Sequence, residues 1–511
     1  MHLIDPFDRG VRLDPDGVCF QTADDAERHT YAEVAELSHR IAVALQGEGL
    51  GRDAHVAVLS PNAPLAFACV LGIIRADATW IPLNTRSTAD DLVALLELTE
   101  CDALFYHHAL GELAERLQGA VDRIRRAVCL DDLSAWMAPA GARAPRPPDD
   151  PGHDAFVVGT GGTTGRSKAV RITHLVAELM SLAFAAHMPE PERPPVMAMA
   201  APMTHAAGPI CFPVFARAGQ VIVHEGVHPG PLLESIAHHR VSRLFLPPTA
   251  IYALLGDPLA GSVDVSSLRH FIYAAAPMSV TKLQEAMDCF GPVMTQTYGQ
   301  AEVPMIATVM TPEDHERARA EGGERLASAG RASLVAEVAI MSEQGELLGP
   351  GETGEIVARG NLVTPGYYRD LQASEGNRRP GGWHGTSDVG RMDEAGYVYI
   401  VDRLRDMIIT GGFNVWPSEI EQLIHGLGGV SDCAVIGLPD EKWGEAVTAV
   451  IELRAGGELS EERVKAAVRE QLGPVKTPKQ VIFRELPRSP VGKVLKRALR
   501  EEYWAGRSRA I

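Results

Sequence analysis

The sequence predicts an α/β protein with a large N-terminal domain of mostly parallel sheets and crossover helices, over residues 1–402, and a smaller α+β domain over 403–511. Three observations carry that reading. A chain of 511 residues is too long for one compact unit. Short apolar runs alternate with helical segments through most of its length, which is the pattern of strands joined by crossover helices. Near Arg403 a second unit begins, a small α+β arrangement of helices and strands. Taken in order, residues 32–46 are amphipathic at helical spacing, 55–59 form an apolar run of strand length, 66–74 return to helix, and 80–82 form the next strand. The stretch 139–151 holds many Pro, Arg and Asp residues without periodicity and reads as a surface connector. Further runs at 196–200, 220–224, 243–247, 270–274 and 293–297 are separated by helical segments, as in a parallel sheet. Such sheets bind ligands beyond the carboxyl ends of their strands. In the second unit the chain offers a helix at 418–427, strands at 433–438 and 446–453, a helix at 460–472 and a strand at 480–485.

Composition excludes several classes. The net charge of −18 leaves no cationic surface for nucleic acid or an anionic membrane. Seven cysteines stand alone, with no CxxC pair and an odd total, so neither a zinc site nor a disulfide framework is expected. A reducing cytoplasm fits. The first residues lack the basic and long apolar regions of a secretory signal, and no stretch approaches the ~20 apolar residues of a membrane span, so a cytoplasmic monomer or homodimer without an integral membrane segment is expected.

Chemistry first shows itself at Gly159-Thr160-Gly161-Gly162-Thr163-Thr164-Gly165-Arg166-Ser167-Lys168, directly after the apolar run 155–158. Glycines let backbone N–H groups approach anionic oxygens, the threonines add hydroxyl donors, and Lys168 adds a point charge. The loop suits a polyphosphate. It is not a Walker A loop, because Arg166 and Ser167 separate Gly165 from Lys168.

With the order of the segments that follow, the chain resembles the ANL superfamily of adenylate-forming enzymes, which includes acyl- and aryl-CoA synthetases. The family's phosphate loop reads Ser-Gly-Thr-Thr-Gly-x-Pro-Lys-Gly, and here Gly161, Ser167 and Ala169 depart from it. Further matches run from Pro61-Asn62 and Ile81-Pro82-Leu83-Asn84 to Gly492-Lys493 and cover nearly the whole chain. The resemblance implies nucleotide contacts from Thr160, Gly162, Thr163, Thr164, Gly165 and Lys168. Tyr298-Gly299-Gln300-Ala301-Glu302 resembles Tyr-Gly-x-Thr-Glu, which implies that Tyr298 packs on adenine and Glu302 holds magnesium. Ala301 replaces the threonine that contacts the α-phosphate. Ala274-Ala275-Ala276-Pro277 stands where the family has Gly-Gly-Ala-Pro, which implies that Ala275 and Ala276 lie against the base; a tight strand-to-helix turn would select the same small residues. Thr386-Ser387-Asp388 replaces Thr-Gly-Asp, which implies that Asp388 accepts the ribose hydroxyls with Arg403 as a second contact.

The same resemblance implies that Lys493 is the transition-state lysine of a mobile C-terminal domain and that Arg405 is the hinge. Gly411 and Gly412 would line a pantetheine tunnel, for which a plain hairpin turn is the alternative. Trp443 would brace the CoA side or fill the core. His205 matches a histidine beside the acyl pocket, whose other walls are expected from 245–252 and 303–306. Tyr367 receives no role at this level.

The implied reaction starts from a poor electrophile. A carboxylate displaces pyrophosphate from ATP to give an acyl- or aryl-adenylate, and CoA thiol then attacks it to give a thioester and AMP. ATP and CoA are the expected co-substrates, Mg2+ the cofactor, and a small-molecule acid the partner. Two alternatives stand beside it. One is an adenylating enzyme with a non-CoA acceptor or a non-carboxylic oxyacid, such as an amide-forming or nitrite-activating enzyme. The other is a nucleotide-binding regulator without turnover, which would have no use for Lys493.

Overall fold

The computed structural model describes all residues except 1, 161–167, 191, 205–206, 404–405, 412, 441, 455, 489–493 and 505–511, and only the backbone of Arg403 and Asn414. The described residues build four sheets. In the largest, strands Val18–Thr22, Gln220–Val223, Val196–Met199, Arg243–Leu246, His270–Tyr273 and Met294–Tyr298 lie side by side and parallel. Antiparallel strands close both margins, Arg28–Thr30 on one side and Thr308–Met310 with Arg331–Ala332 on the other. A second sheet runs Arg126–Cys129, Ala103–Tyr106, His55–Leu59, Thr79–Pro82, Asp154–Thr160, Lys168–Thr173, parallel except for its last pair.

The parallel strands form because their runs are apolar on both faces. His55–Leu59 and Thr79–Pro82 are buried along their whole length, which only helices packed on both sides can achieve. The helix Tyr31–Gly47 starts at a capping box: the Thr30 hydroxyl accepts from the Glu33 N–H at 3.2 Å, and the Glu33 carboxylate accepts from the Thr30 N–H at 2.8 Å. Its apolar face and the buried helix Pro64–Arg75 join a core in which Phe20, Phe67, Phe212 and Phe215 meet edge-on or tilted at 5.6–6.1 Å. Each such buried ring contributes about 1.5–3 kcal/mol relative to exposure.

The third sheet departs from the expected parallel pattern. Glu337–Met341, Thr353–Arg359, Trp383–Met392, Arg378–Arg379 and Val398–Arg403 are all antiparallel, because turns rather than crossover helices join most of them. The fourth sheet begins at Ile408–Thr410 and takes in Phe413–Val415, Gly444–Leu453, Val430–Asp440 and Gln480–Phe483. Its helices are Pro417–His425, Glu461–Lys476 and Lys496–Trp504, the second broken at Gly473, whose φ of 82° precedes Pro474. No helix among the described residues is long and apolar enough to cross a membrane.

Candidate active site

Adjacent parallel strands end together, and this brings separate sequence segments to one edge. His270–Tyr273 and Met294–Tyr298 are paired, with Tyr273 opposite Gln296, so Ala274–Ala276 and Tyr298 leave the sheet at the same end. Ala275 adopts a φ of 72°, in the left-handed region that favours glycine. The turn after Tyr298 needs its glycine for a different reason: a Cβ on Gly299 would lie 2.6 Å from the Val303 carbonyl oxygen. That tight turn directs Gln300 and Glu302 back toward the third sheet.

On the third sheet, Asp388 is 6 % exposed. Its Oδ2 accepts from the Tyr298 hydroxyl and from the Gln300 amide, each at 2.8 Å. Gln300 donates also to the Thr386 carbonyl at 2.8 Å, and the Thr386 hydroxyl accepts from the Asp388 N–H at 3.1 Å. Ser387 carries a φ of 60°, and its N–H donates to Glu355 at 3.0 Å. With Tyr298, Gln300 and Thr386 around it, the Asp388 carboxylate is held in one orientation. The Arg403 backbone lies opposite Asp388 in the antiparallel pair.

Glu302 is half-buried in the turn beyond Gly299. Its Oε1 accepts from the Tyr367 hydroxyl, whose oxygen accepts from the Asn377 amide at 3.0 Å. Burial first, and then the Glu302 charge, push the Tyr367 hydroxyl well above the ordinary phenol range. The Glu302 carbonyl accepts from the Thr364 N–H at 2.9 Å. His384 stands nearby, half-buried, with no hydrogen-bond partner for its buried Nε2 among the described residues; burial lowers its pKa against the opposing pull of Glu302. No cationic side chain pairs with Glu302 among the described residues, and Arg379 pairs with Glu355 instead. Among the described residues Glu302 therefore offers hard oxygen without a competing counter-ion, which fits a magnesium ion.

The strands that flank the glycine loop pair antiparallel in the second sheet, with Thr160 opposite Lys168 and the Thr160 hydroxyl donating to the Lys168 carbonyl at 3.3 Å. Gly162, Thr163, Thr164 and Gly165 lie outside the described residues. The Lys168 ammonium sits 4.7 Å from the centre of the Tyr367 ring. His205 also lies outside the described residues, and its neighbours are tethered. Asn62 accepts from the Met203 N–H at 2.7 Å and donates to the carbonyls of Ala201 and His224 at 3.0 and 2.9 Å, while the Thr204 hydroxyl donates to Leu83 at 2.9 Å. This gives the early segments Pro61-Asn62 and Leu83-Asn84 a physical task.

In the fourth sheet, Ile408–Thr410 and Phe413–Val415 pair antiparallel. Gly411 has a φ of 59°, its N–H donates to the Trp443 carbonyl at 2.7 Å, and a Cβ there would lie 2.8 Å from the indole. Trp443 is 38 % exposed, with the ammoniums of Lys442 and Lys479 at 4.9 and 5.2 Å from its ring, so it does not fill the core. Burial, then neighbouring cations, lower the Lys479 pKa. Gly412, Arg405 and Lys493 lie outside the described residues. The neck of the segment that carries Lys493 is pinned: Arg488 pairs with Val494, the Leu495 N–H donates to Pro487 at 2.8 Å, and Arg488 bridges Asp432 at 2.7 Å.

Sequence reasoning missed Gln300, Tyr367, Asn377 and His384. Gln300 reads as a spacer between motif residues, and the other three become neighbours of Glu302 only through the third sheet and the segment that leads into it.

The model of the AMP-binding enzyme family matches residues 7–368, and that of the AMP-binding enzyme C-terminal domain matches 419–493. A medium/long-chain-fatty-acid–CoA ligase, FadD8 of Mycobacterium tuberculosis, is 38 % identical over 512 residues, spanning 95 % of this chain and 87 % of that protein. A feruloyl-CoA synthase of an Amycolatopsis species is 34 % identical over 93 % of this chain and 94 % of that one. Among solved structures, the amide bond synthetase McbA of Marinactinospora thermotolerans superposes with a TM-score of 0.87 at 26 % identity, covering 98 % of this chain and all of that one.

Proposed function

Because the chain belongs to the AMP-binding enzyme family, the adenylate-forming ANL superfamily, and is an AMP-forming acid–CoA ligase, we propose that the edge shared by Tyr298, Glu302 and Asp388 binds ATP for activation of an acid with an apolar tail. The observation that carries this reading is the Asp388 carboxylate, buried at the carboxyl ends of the strands and held by Tyr298 and Gln300. A carboxylate in a fixed orientation suits the two hydroxyls of a ribose. Tyr298, Ala275 and Ala276 frame the base, Arg403 gives a second ribose contact, and Thr160, Gly162, Thr163, Thr164, Gly165 and Lys168 receive the phosphates.

Glu302 would hold magnesium, which when bound offsets phosphate charge and favours pyrophosphate as a leaving group. The substrate carboxylate attacks the α-phosphorus, the bond to the β-phosphate oxygen breaks, and acyl-adenylate and pyrophosphate result. His205 steers the carboxylate. Lys493 reaches in on its pinned neck and stabilises the charge on the α-phosphate. Residues 403–511 then rotate about Arg405, so that Gly411, Gly412 and Trp443 line the approach of CoA thiol to the acyl carbonyl, and AMP departs. The apolar tail is supported by the fatty-acid and ferulate relatives. A reducing cytoplasm is supported by seven cysteines without a disulfide.

Pyrophosphate exchange across a panel of fatty and aryl acids, followed by CoA-dependent AMP release, tests the reading. Lys493→Ala should cut exchange by about 100-fold or more while sparing thioester formation from a supplied adenylate; equal loss of both half-reactions would remove Lys493 from its role. The likeness to an amide bond synthetase favours an amine as a second acceptor, and AMP release driven by amines as well as by CoA would establish it.

A further inference from the structure

Tyr367 belongs to none of the motifs in the sequence, and the geometry gives it a task. Its hydroxyl has two neighbours of fixed sense. The Asn377 amide nitrogen can only donate, and it lies 3.0 Å from the hydroxyl oxygen. The hydroxyl proton is therefore committed to Glu302 Oε1. Packing alone would need the ring and not the oxygen.

The same segment is fastened to the strand that leaves the glycine loop. The Arg171 N–H donates to the Gly366 carbonyl at 3.1 Å, the Tyr368 N–H donates to the Ala169 carbonyl at 2.7 Å, and the Tyr367 N–H donates to the Ser374 hydroxyl at 2.9 Å. Earlier in the segment, the Thr364 N–H donates to the Glu302 carbonyl at 2.9 Å, so backbone and side chain both tie this stretch to the glutamate. Over the Tyr367 ring, at 4.7 Å from its centre, stands the Lys168 ammonium. One side chain thus touches the lysine of the phosphate loop with its face and the acidic residue of the adenine-side turn with its hydroxyl.

We infer that Tyr367 is a positioning residue for the metal: its hydroxyl, oriented by Asn377, holds the Glu302 carboxylate in the pose that receives magnesium, and its ring keeps Lys168 at the edge of the phosphate site until phosphate draws the ammonium away. The inference rests on the reading of Glu302 as the magnesium carboxylate. Hydrogen-bonding partners of metal ligands fix ligand orientation, and their loss typically weakens metal affinity by ~10–100-fold.

The test uses the full chain with Mn2+ and α,β-methylene-ATP, which cannot release pyrophosphate, and counts unbound Mn2+ by electron paramagnetic resonance. Tyr367→Phe keeps the ring, its packing and the lysine contact. It should weaken Mn2+ binding by about tenfold, leave metal-free nucleotide affinity unchanged, and raise the magnesium needed for half-maximal pyrophosphate exchange by the same factor, with the rate recovered at saturating magnesium. Asn377→Leu should shift metal binding in the same direction by a smaller factor. Glu302→Gln serves as reference. Wild-type Mn2+ affinity in Tyr367→Phe, with affinity lost in Glu302→Gln, overturns the positioning role alone; wild-type affinity in both overturns the magnesium reading of Glu302 with it.

Discussion

Two carboxylates serve the same edge of the molecule, and each is met by a tyrosine hydroxyl, but their settings differ. Asp388 lies on a strand of the antiparallel sheet, buried, with Tyr298 and Gln300 on one oxygen and its own backbone tied to Thr386. Glu302 lies in a turn, half-buried, with a single tyrosine on Oε1 whose orientation depends on Asn377. Strand pairing fixes the Asp388 backbone and two side chains fix its carboxylate, as a ligand with two hydroxyls at set spacing requires. The turn leaves Glu302 dependent on a side-chain relay, which suits an ion that arrives with its own waters and phosphates. Rigidity is thus supplied by the ladder in one case and by a neighbouring side chain in the other.

The strongest way to break this contrast is Asp388→Ala. It removes a charge-assisted contact and the acceptor that the Tyr298 hydroxyl and the Gln300 amide share, so kcat/KM for ATP in pyrophosphate exchange should fall by about 100-fold, or ~3 kcal/mol. A loss below about tenfold would mean that Asp388 is structural. Gln300→Leu is milder, since Tyr298 still holds Asp388: KM for ATP should rise about fivefold, while the magnesium dependence stays as in the wild type. A shift in magnesium dependence would show that the two carboxylates are coupled after all. The smallest effect is expected from Ser387→Gly. It relieves about 1 kcal/mol of left-handed strain and returns ~0.5 kcal/mol through the freer unfolded chain, for a net gain of about 0.5 kcal/mol. Calorimetry should record a rise of about 1 °C in the thermal midpoint, and a fall would mean that the serine side chain contributes a contact of its own.

The family's glycines explain where this chain is strained. At positions 275 and 387 its motifs carry glycine, and the structure shows φ values of 72° and 60° at Ala275 and Ser387. The sequence displayed the departures; only the backbone showed that both fall where a Cβ is costly.

Local chemistry determined much of this protein. Apolar runs bounded by turn residues marked the strands 55–59, 196–200 and 270–274 within a residue or so of their observed limits, because burial on both faces demands that composition and nothing more distant. Val398–Arg403 pairs backward within the third sheet and Ile408–Thr410 pairs forward within the fourth. Motif order pointed to Tyr298, Glu302 and Asp388. Tertiary structure alone decided which side chains hold them. Gln300 meets Asp388 across 88 positions and Tyr367 meets Glu302 across 65, and such pairs leave no periodicity in the chain. They exist because a parallel sheet ends beside an antiparallel one, and the register of that meeting is set by the packing of whole layers rather than by any neighbouring residue.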